Sequence, residues 1–359
     1  MKPTEGGSSR IGSLDQFRGY TVAGMLLVNF LGGYPTVPAV LRHHNTYCSY
    51  ADTIMPQFFF AVGFAYRLTW LKRGTTEGRF AAYAHAAWRC LGLILLGVLV
   101  YHLDGNYKTW DSLAAERWPD LIWKSIQKSP FQALVHIGVT SLWILPVIGA
   151  RPSIRHAFLL ASTALHLAAS RAGYLEFAVN RPVIDGGPLG FLSWTIPTLA
   201  GAWAYDVYRD KGPIGGLPRW LIGAAALMAI GYGMSLLGEH HSPPFLKPDF
   251  TPKDVDLGTM SQRTGSVSYQ TFAAGFSIAI FALFAAACDA GNLRIGLFRT
   301  LGSNALAAYL LHMIVDGALK PFVPRDAPLP YILAASMLSI GLVYLLVRSL
   351  EKRSIYIRL

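Results

Sequence analysis

Two adjacent histidines, His43 and His44, carry the most useful chemistry in this chain. An imidazole titrates near neutrality, at about 6.5 when unperturbed, so its neutral form can take a proton from an attacking amine or alcohol. It can also attack an acyl group itself. An apolar stretch ending in Asn29 precedes the pair, and Asp52 follows it at the start of the next apolar stretch, with Pro56 just inside. The Asn29 amide donates and accepts hydrogen bonds at once, and alone it is more often glue between helices. Asp52 has an equally plain alternative as a helix N-cap, and two loop histidines can simply face water. A metal site joining His43 and His44 to His240 and His241 is not expected. Adjacent histidines point in different directions, and no HExxH or other ligand-spaced pattern is present.

Other charged and polar residues extend the candidate set. Asp15 and Arg18 are three apart, share a helix face and can pair, or they anchor a helix end at an interface. Arg89 lies within WRCLGLILLG, near the middle of an apolar block, where a long side chain reaches the interface with difficulty. A buried acid such as Asp15, or an anionic ligand, is its expected partner. Asn304 and His312 are eight apart, about two turns, and so are expected on one helix face.

The elements that must position these residues are apolar blocks. Of 359 residues, 53% are hydrophobic and only 14% charged, with mean hydropathy +0.37. Soluble domains carry about 25% charged residues. The apolar residues cluster in blocks of about 20, the length that crosses a hydrocarbon core of roughly 30 Å. The fold class expected is an all-α, polytopic transmembrane helical bundle forming a single domain over residues 1–359. Ten spans are expected, near residues 17–37, 51–71, 81–103, 131–150, 153–172, 188–208, 217–237, 267–289, 301–319 and 329–349. The fifth, with His156, His166 and Arg171, is the least apolar.

Lys and Arg decide the orientation, because positive loops resist translocation. A cytoplasmic N-terminus puts Lys72, Arg73, Arg79, Arg151, Arg155, Arg209, Lys211, Arg219, Arg294, Arg299, Lys352, Arg353 and Arg358 on the cytoplasmic side. The C-terminus is then cytoplasmic too. Residues 42–50, 104–129 and the long loop 238–266 fall outside. This sorting absorbs the net charge of +11, and no Arg-rich or aromatic-interleaved patch suggests nucleic acid. The location expected is the cell (inner) membrane, with multiple crossings. The first apolar block has no cleavage site and is expected to stay as a helix, with no soluble domain before or after the membrane part. Cys48, Cys90 and Cys288 show no CxxC spacing, so neither a disulfide framework nor a thiolate metal site is expected. TWDSLAAERWPDLIWKSIQK reads as an interfacial helix broken at Pro119. The proline-rich loop 238–266 is expected to be irregular, either a solvated loop or a lid.

A resemblance is carried by RIGSLDQFRG, then Val28-Asn29 ending an apolar helix, then LRH, then Ala51-Asp52 four residues before Pro56, then FFFAVG. This order resembles the heparan-alpha-glucosaminide N-acetyltransferase family and its bacterial relatives. SPFQALVHIGVTSLWILPVI, IDGGPLGFLSWTIPTLAGAWAYD and LGSNALAAYLLHMIV resemble later blocks of that family, with His136 where the family pattern has arginine. The resemblance implies a transmembrane acyltransferase that takes an acetyl or similar acyl group from cytosolic acyl-CoA. It delivers that group to a sugar or glycan acceptor on the far side. It further implies a catalytic histidine in the first outer loop supported by the preceding asparagine, by position His43 and Asn29. The loop before Asp52 is one residue shorter than in the family, which leaves His44 as an alternative. Acetyl-CoA or another acyl-CoA is the implied cosubstrate, without a metal, and a homodimer is implied as well. Asp15, Arg18, Asp52, Arg89, Asn304 and His312 are the expected substrate-binding residues. The competing class is a transporter or flippase for an anionic or glycan-type substrate, with Asp15, Arg18, Arg89 and Asp52 as gating or coupling charges.

Overall fold

Apolar blocks fold as helices because a backbone surrounded by apolar groups must satisfy its own hydrogen bonds. A computed structural model describes residues 11–101, 107–127 and 130–357 of the chain. Residue 10, which opens the first sequence motif, and Arg358, assigned above to the cytoplasmic face, lie outside the described residues. So do residues 104–106 and 128–129 of the expected outer segment. Among the described residues there is no strand. The helices are α1 (Gly12–Leu31), α2 (Tyr50–Thr76), α3 (Arg79–Tyr101), α4 (Trp110–Ala114), α5 (Trp118–Gln127), α6 (Ala133–Ile148) and α7 (Pro152–Ala169). They continue with α8 (Leu175–Val179), α9 (Phe191–Ser235), α10 (Val267–Phe284), α11 (Gly296–Ser303), α12 (Ala305–Leu319) and α13 (Leu329–Lys352). Among the described residues, five helical stretches are long and apolar enough to cross a membrane: Arg79–Tyr101, Phe191–Ser235, Val267–Ala290, Ala305–Phe322 and Leu329–Lys352.

Several helix ends differ from expectation. Helix α1 stops at Leu31, short of residue 37, because Gly32, Gly33 and then Pro35 and Pro38 cannot sustain it. Pro119 does not break a helix but stands in the first turn of α5, where its missing N–H costs nothing. The block 301–319 is interrupted at Asn304 (φ −137°, ψ 48°), which separates α11 from α12. In α9, Gly212 takes φ 69°, a left-handed value that favours glycine, and Pro213 follows. The two halves of α9 fold back on each other around it, as Trp220 Nε1 donating to the Ala204 carbonyl at 3.3 Å requires. They occupy the places of the two blocks read at 188–208 and 217–237.

Glycines set the tightest helix contacts. A Cβ at Gly63 of α2 would lie 1.8 Å from the Thr198 carbonyl oxygen, and one at Gly201 of α9 would lie 2.0 Å from that of Phe60. Gly19 of α1 and Gly302 of α11 form a second reciprocal pair, at 1.7 Å from the Phe298 oxygen and 1.8 Å from the Asp15 oxygen. Only residues without side chains let backbones meet this closely, the usual device where helices associate in an apolar medium. The second pair docks α11 against the turn of α1 that carries Asp15 and Arg18. Between the helices a cluster of Phe17, Phe60, Phe64, Trp220 and Phe281 fills the core, with the Phe17 and Phe60 rings edge to face at 5.5 Å.

One buried acid ties four helices together. Asp206 of α9 accepts from Arg67 Nε of α2 at 3.0 Å and from Arg155 Nη2 of α7, with Arg209 Nη1 at 3.7 Å. Arg67 Nη1 also donates to the Ile148 carbonyl at the end of α6, at 2.5 Å. Arg155, one of the positive residues read as lying on the cytoplasmic side, is buried and paired. The loop 236–266 is irregular apart from a 3₁₀ turn at Pro252–Asp254. It lies over the loop between α1 and α2. Ser242 Oγ donates to the Thr46 carbonyl at 2.6 Å, and the Phe245 N–H donates to that of Cys48 at 2.8 Å. The three cysteines are free and buried.

Candidate functional site

The site is built outward from Asp52. Its helix, α2, is capped by Ser49, whose hydroxyl oxygen accepts the Asp52 N–H at 3.2 Å. Asp52 Oδ2 reaches back to accept the Ser49 N–H at 2.9 Å and its hydroxyl at 2.8 Å, a reciprocal capping box. The N-cap expected at Asp52 is therefore Ser49, with Asp52 three residues further on. Pro56 has no N–H to give the Asp52 carbonyl four residues before it. The Tyr269 hydroxyl of α10 donates to that carbonyl at 2.7 Å instead. A fully buried carboxylate is thus fixed by its own helix turn, with one oxygen left over.

That oxygen, Oδ1, lies 2.8 Å from His43 Nδ1. An ionised carboxylate only accepts, so Nδ1 carries the proton and the lone pair is on Nε2. With 28% of its side chain exposed, against 0% for Asp52, His43 can reach a ligand while its partner cannot move. Burial pulls the His43 pKa down, but the hydrogen bond and charge of Asp52 outweigh it, aided by Asp185 and the Gln262 side chain. The pKa stands above the ordinary 6.5. His44 is placed differently. Its Nε2 meets the Ala39 carbonyl at 2.8 Å and its ring stacks on Tyr47 at 4.5 Å. Burial, with the charges of Arg42 and Lys247, lowers its pKa.

A cavity of about 1060 Å³ joins five of the residues the sequence singled out, Asp15, Arg18, Asn29, His43 and Arg89, whereas His44, Asp52, Asn304 and His312 do not line it. His43, Asn29, Asp185 and Gln262 line one end; Asp15, Arg18, Arg73, His85 and Arg89 line the other. Apolar side chains, among them Met25, Ile54, Phe58, Val62 and Leu93, line the length between. Asp15 and Asn29 are fourteen residues apart on α1, so the cavity follows that helix for roughly 21 Å at 1.5 Å per residue. Asp15 and Arg18 share a face as expected, with Arg18 Nη1 4.0 Å from Asp15 Oδ1. Arg89 is exposed and lines the same end, together with His85 and with Arg73, which is itself paired to Glu77 at 2.7 Å.

Asn29 is held from outside the cavity wall. Its Nδ2 lies 3.4 Å from His312 Nε2, and His312 Nδ1 is held by the Tyr309 carbonyl. Lys320 Nζ donates to the Asn29 carbonyl oxygen at 3.0 Å. Asn304 does not share a face with His312, because it stands in the break between α11 and α12 rather than within one helix. Its amide clasps the end of the chain, donating to the Ile355 carbonyl and accepting the Ile357 N–H, each at 3.0 Å. Ile357 and the chain neighbours of Asn304, Ser303 and Ala305, line the cavity, so Asn304 shapes its wall without lining it.

Two residues beside His43 escaped the sequence reading. Asp185 is buried, and Gln262 Nε2 donates to its Oδ1 at 3.1 Å. Burial raises the Asp185 pKa to about 6, against the opposing hydrogen bond from Gln262 and the charges of His43 and Arg181. Asp185 opens the IDGGPLG block, which signalled a motif without a role; nothing in the loop composition marked Gln262. Among the described residues no three His, Cys, Asp or Glu converge as metal ligands. His240 stacks on Phe250 and His241 Nε2 meets the Tyr232 hydroxyl, each with its own neighbour.

The arrangement offers a carboxylate-oriented imidazole at one end of a long cavity and a cluster of cations at the other. Comparison with protein-family models and with curated proteins finds no match for this chain.

Proposed function

We propose that this chain is an integral-membrane acyltransferase that moves an acetyl or similar acyl group from cytosolic acyl-CoA to an extracytoplasmic sugar or glycan acceptor. The observation that carries this reading is the single cavity linking the Arg18, Arg73 and Arg89 end to the His43–Asp52 pair. Cations at one mouth suit the phosphates of a CoA thioester, and the apolar length suits its extended arm. The thioester is already activated, so the protein needs mainly a base for the acceptor and donors for the developing oxyanion. His43 Nε2 takes the acceptor proton, and Asp52 holds the imidazolium that results. The likeness of RIGSLDQFRG and the following blocks to the heparan-alpha-glucosaminide N-acetyltransferase family supports the same reading. Incubating the purified protein with labelled acetyl-CoA and glucosamine tests it: transfer of label supports the reading, and absence of both binding and transfer removes it. The transporter or flippase reading draws on the same cavity, and binding without any transfer favours it.

In this reading the chain crosses the bilayer about ten times, the two halves of α9 counting separately, with both termini cytoplasmic and the His43 loop outside. The three native cysteines are buried, so engineered ones report cleanly. A cysteine at exposed Lys247 is expected to label from outside in intact cells, and one at exposed Thr75 only after permeabilisation. The opposite pattern inverts the topology.

Arg89 is expected to contact the donor phosphates. Arg89→Leu should weaken acetyl-CoA binding about 10-fold to 100-fold, the worth of one hydrogen bond to a charged group. Titration of the folded variant measures this, and an affinity equal to wild type removes Arg89 from the donor site.

A further inference from the structure

The acyl-transfer reading leaves one chemical need without an owner, a donor for the oxyanion. Asn304 is spent on the end of the chain, and one Asn29 N–H is spent on His312. Tyr309 of α12 lines the same cavity as His43, and its hydroxyl meets the hydroxyl of Tyr101 at the end of α3. The Leu134 N–H donates to Tyr101 Oη at 3.1 Å. Tyr101 is buried, and among the described residues its hydroxyl meets only these two groups. Were Tyr309 the donor, the Tyr101 hydrogen would be buried without an acceptor, a costly arrangement. Tyr101 therefore donates to Tyr309, and the Tyr309 hydrogen is left for the cavity. The Tyr309 carbonyl holds His312 Nδ1, and His312 Nε2 lies 3.4 Å from Asn29 Nδ2, which places the tyrosine pair at the His43 end.

We propose that Tyr309 is a catalytic residue whose hydroxyl donates to the thioester carbonyl oxygen as it becomes an oxyanion, with Tyr101 as its positioning residue. The inference rests on the acyltransferase reading. In the step, the acceptor nitrogen or oxygen bonds to the thioester carbon and its proton passes to His43 Nε2. The carbonyl π electrons move onto oxygen, where the Tyr309 O–H holds them without giving up its proton. Collapse re-forms the C=O bond and breaks the C–S bond, and the departing thiolate takes the proton from His43. The chain Leu134 N–H to Tyr101 O–H to Tyr309 O–H is aligned in one direction, and each link polarises the next.

The test uses the full-length protein in nanodiscs with acetyl-CoA as donor and glucosamine as acceptor. Tyr309→Phe is expected to lower kcat about 100-fold to 1,000-fold, the usual effect of losing one oxyanion donor, with acetyl-CoA Kd unchanged within about twofold. The acid limb of the pH–rate profile, set by His43, is expected to keep its position. Tyr101→Phe keeps the Tyr309 hydroxyl but frees its orientation, and is expected to cost about 10-fold in kcat alone. A Tyr309→Phe enzyme with wild-type kcat overturns the proposal, as does a loss that appears equally in acetyl-CoA affinity. Should Tyr309→Phe not fold, Tyr101→Phe decides, and a wild-type rate there overturns it. A wild-type protein that neither binds nor consumes acetyl-CoA removes the acyltransferase reading first, and this inference with it.

Discussion

His43→Ala is expected to lower the rate of acyl transfer about 100-fold to 10,000-fold, while His44→Ala stays within about threefold of wild type. The difference follows from how the two rings are held. His43 has Asp52 on Nδ1 and lines the cavity with Nε2 left as its remaining ring nitrogen, whereas His44 gives Nε2 to the Ala39 carbonyl and stacks on Tyr47. The same geometry fixes the pH dependence. A base works only when neutral, and the Asp52 carboxylate holds the His43 pKa above its ordinary 6.5, so kcat should rise with pH through a limb lying above that value. Asp52→Asn removes the charge that raises it and leaves burial to dominate, so the limb should move to lower pH while the plateau falls. The single-residue variants are compared by kcat at saturating acetyl-CoA, with a melting curve for each. Two histidine variants that both transfer at the wild-type rate would take the catalytic assignment away from this loop.

Asp206→Ala is expected to destabilise the folded protein by about 3–5 kcal/mol, the usual result of removing one partner of a buried ion pair. Arg67 and Arg155, both buried, would be left facing each other without their common acid. The loss comes from stranded charge, so it should be partly reversible by removing charge. Asp206→Ala combined with Arg155→Leu should recover a measurable part of it, a coupling that a double-mutant cycle reads directly. Thermal unfolding in detergent gives both numbers. A single variant that melts with the wild type would show that the arginines find water or lipid phosphate instead.

How much of this was legible beforehand depends on distance along the chain. The apolar blocks announced the helices, and their gap at 209–216 foretold the fold-back at Gly212. Asp15 and Arg18 are three apart, and their types and spacing suggested a pair; His43 and Asp52 were each singled out, but Asp52 read as a helix N-cap and nothing in the sequence joined the two. Arg67 and Asp206 are 139 residues apart, and a charge near an apolar block reads as an anchor until its partner is seen. Asp185 and Gln262 come from separate loops, and only the tertiary fold sets them beside His43. Tyr309 sits in an apolar helix, where an aromatic residue is ordinary filling. Asn304 was misplaced for a different reason: the two-turn spacing to His312 assumes an unbroken helix, and the chain bends at Asn304 itself.

The apolar length of the cavity has a bioenergetic consequence. In the proposed orientation it joins two aqueous compartments held at different electrical potential, and an open water-filled bore of that kind would dissipate a proton gradient. Side chains such as Ile54, Phe58, Val62 and Leu93 offer no acceptor to carry a water wire, so this stretch should stay dry when empty, as hydrophobic constrictions do in channels. An entering acyl-CoA would then fill the passage with its own arm rather than open it, and insulation of the membrane would survive each turnover.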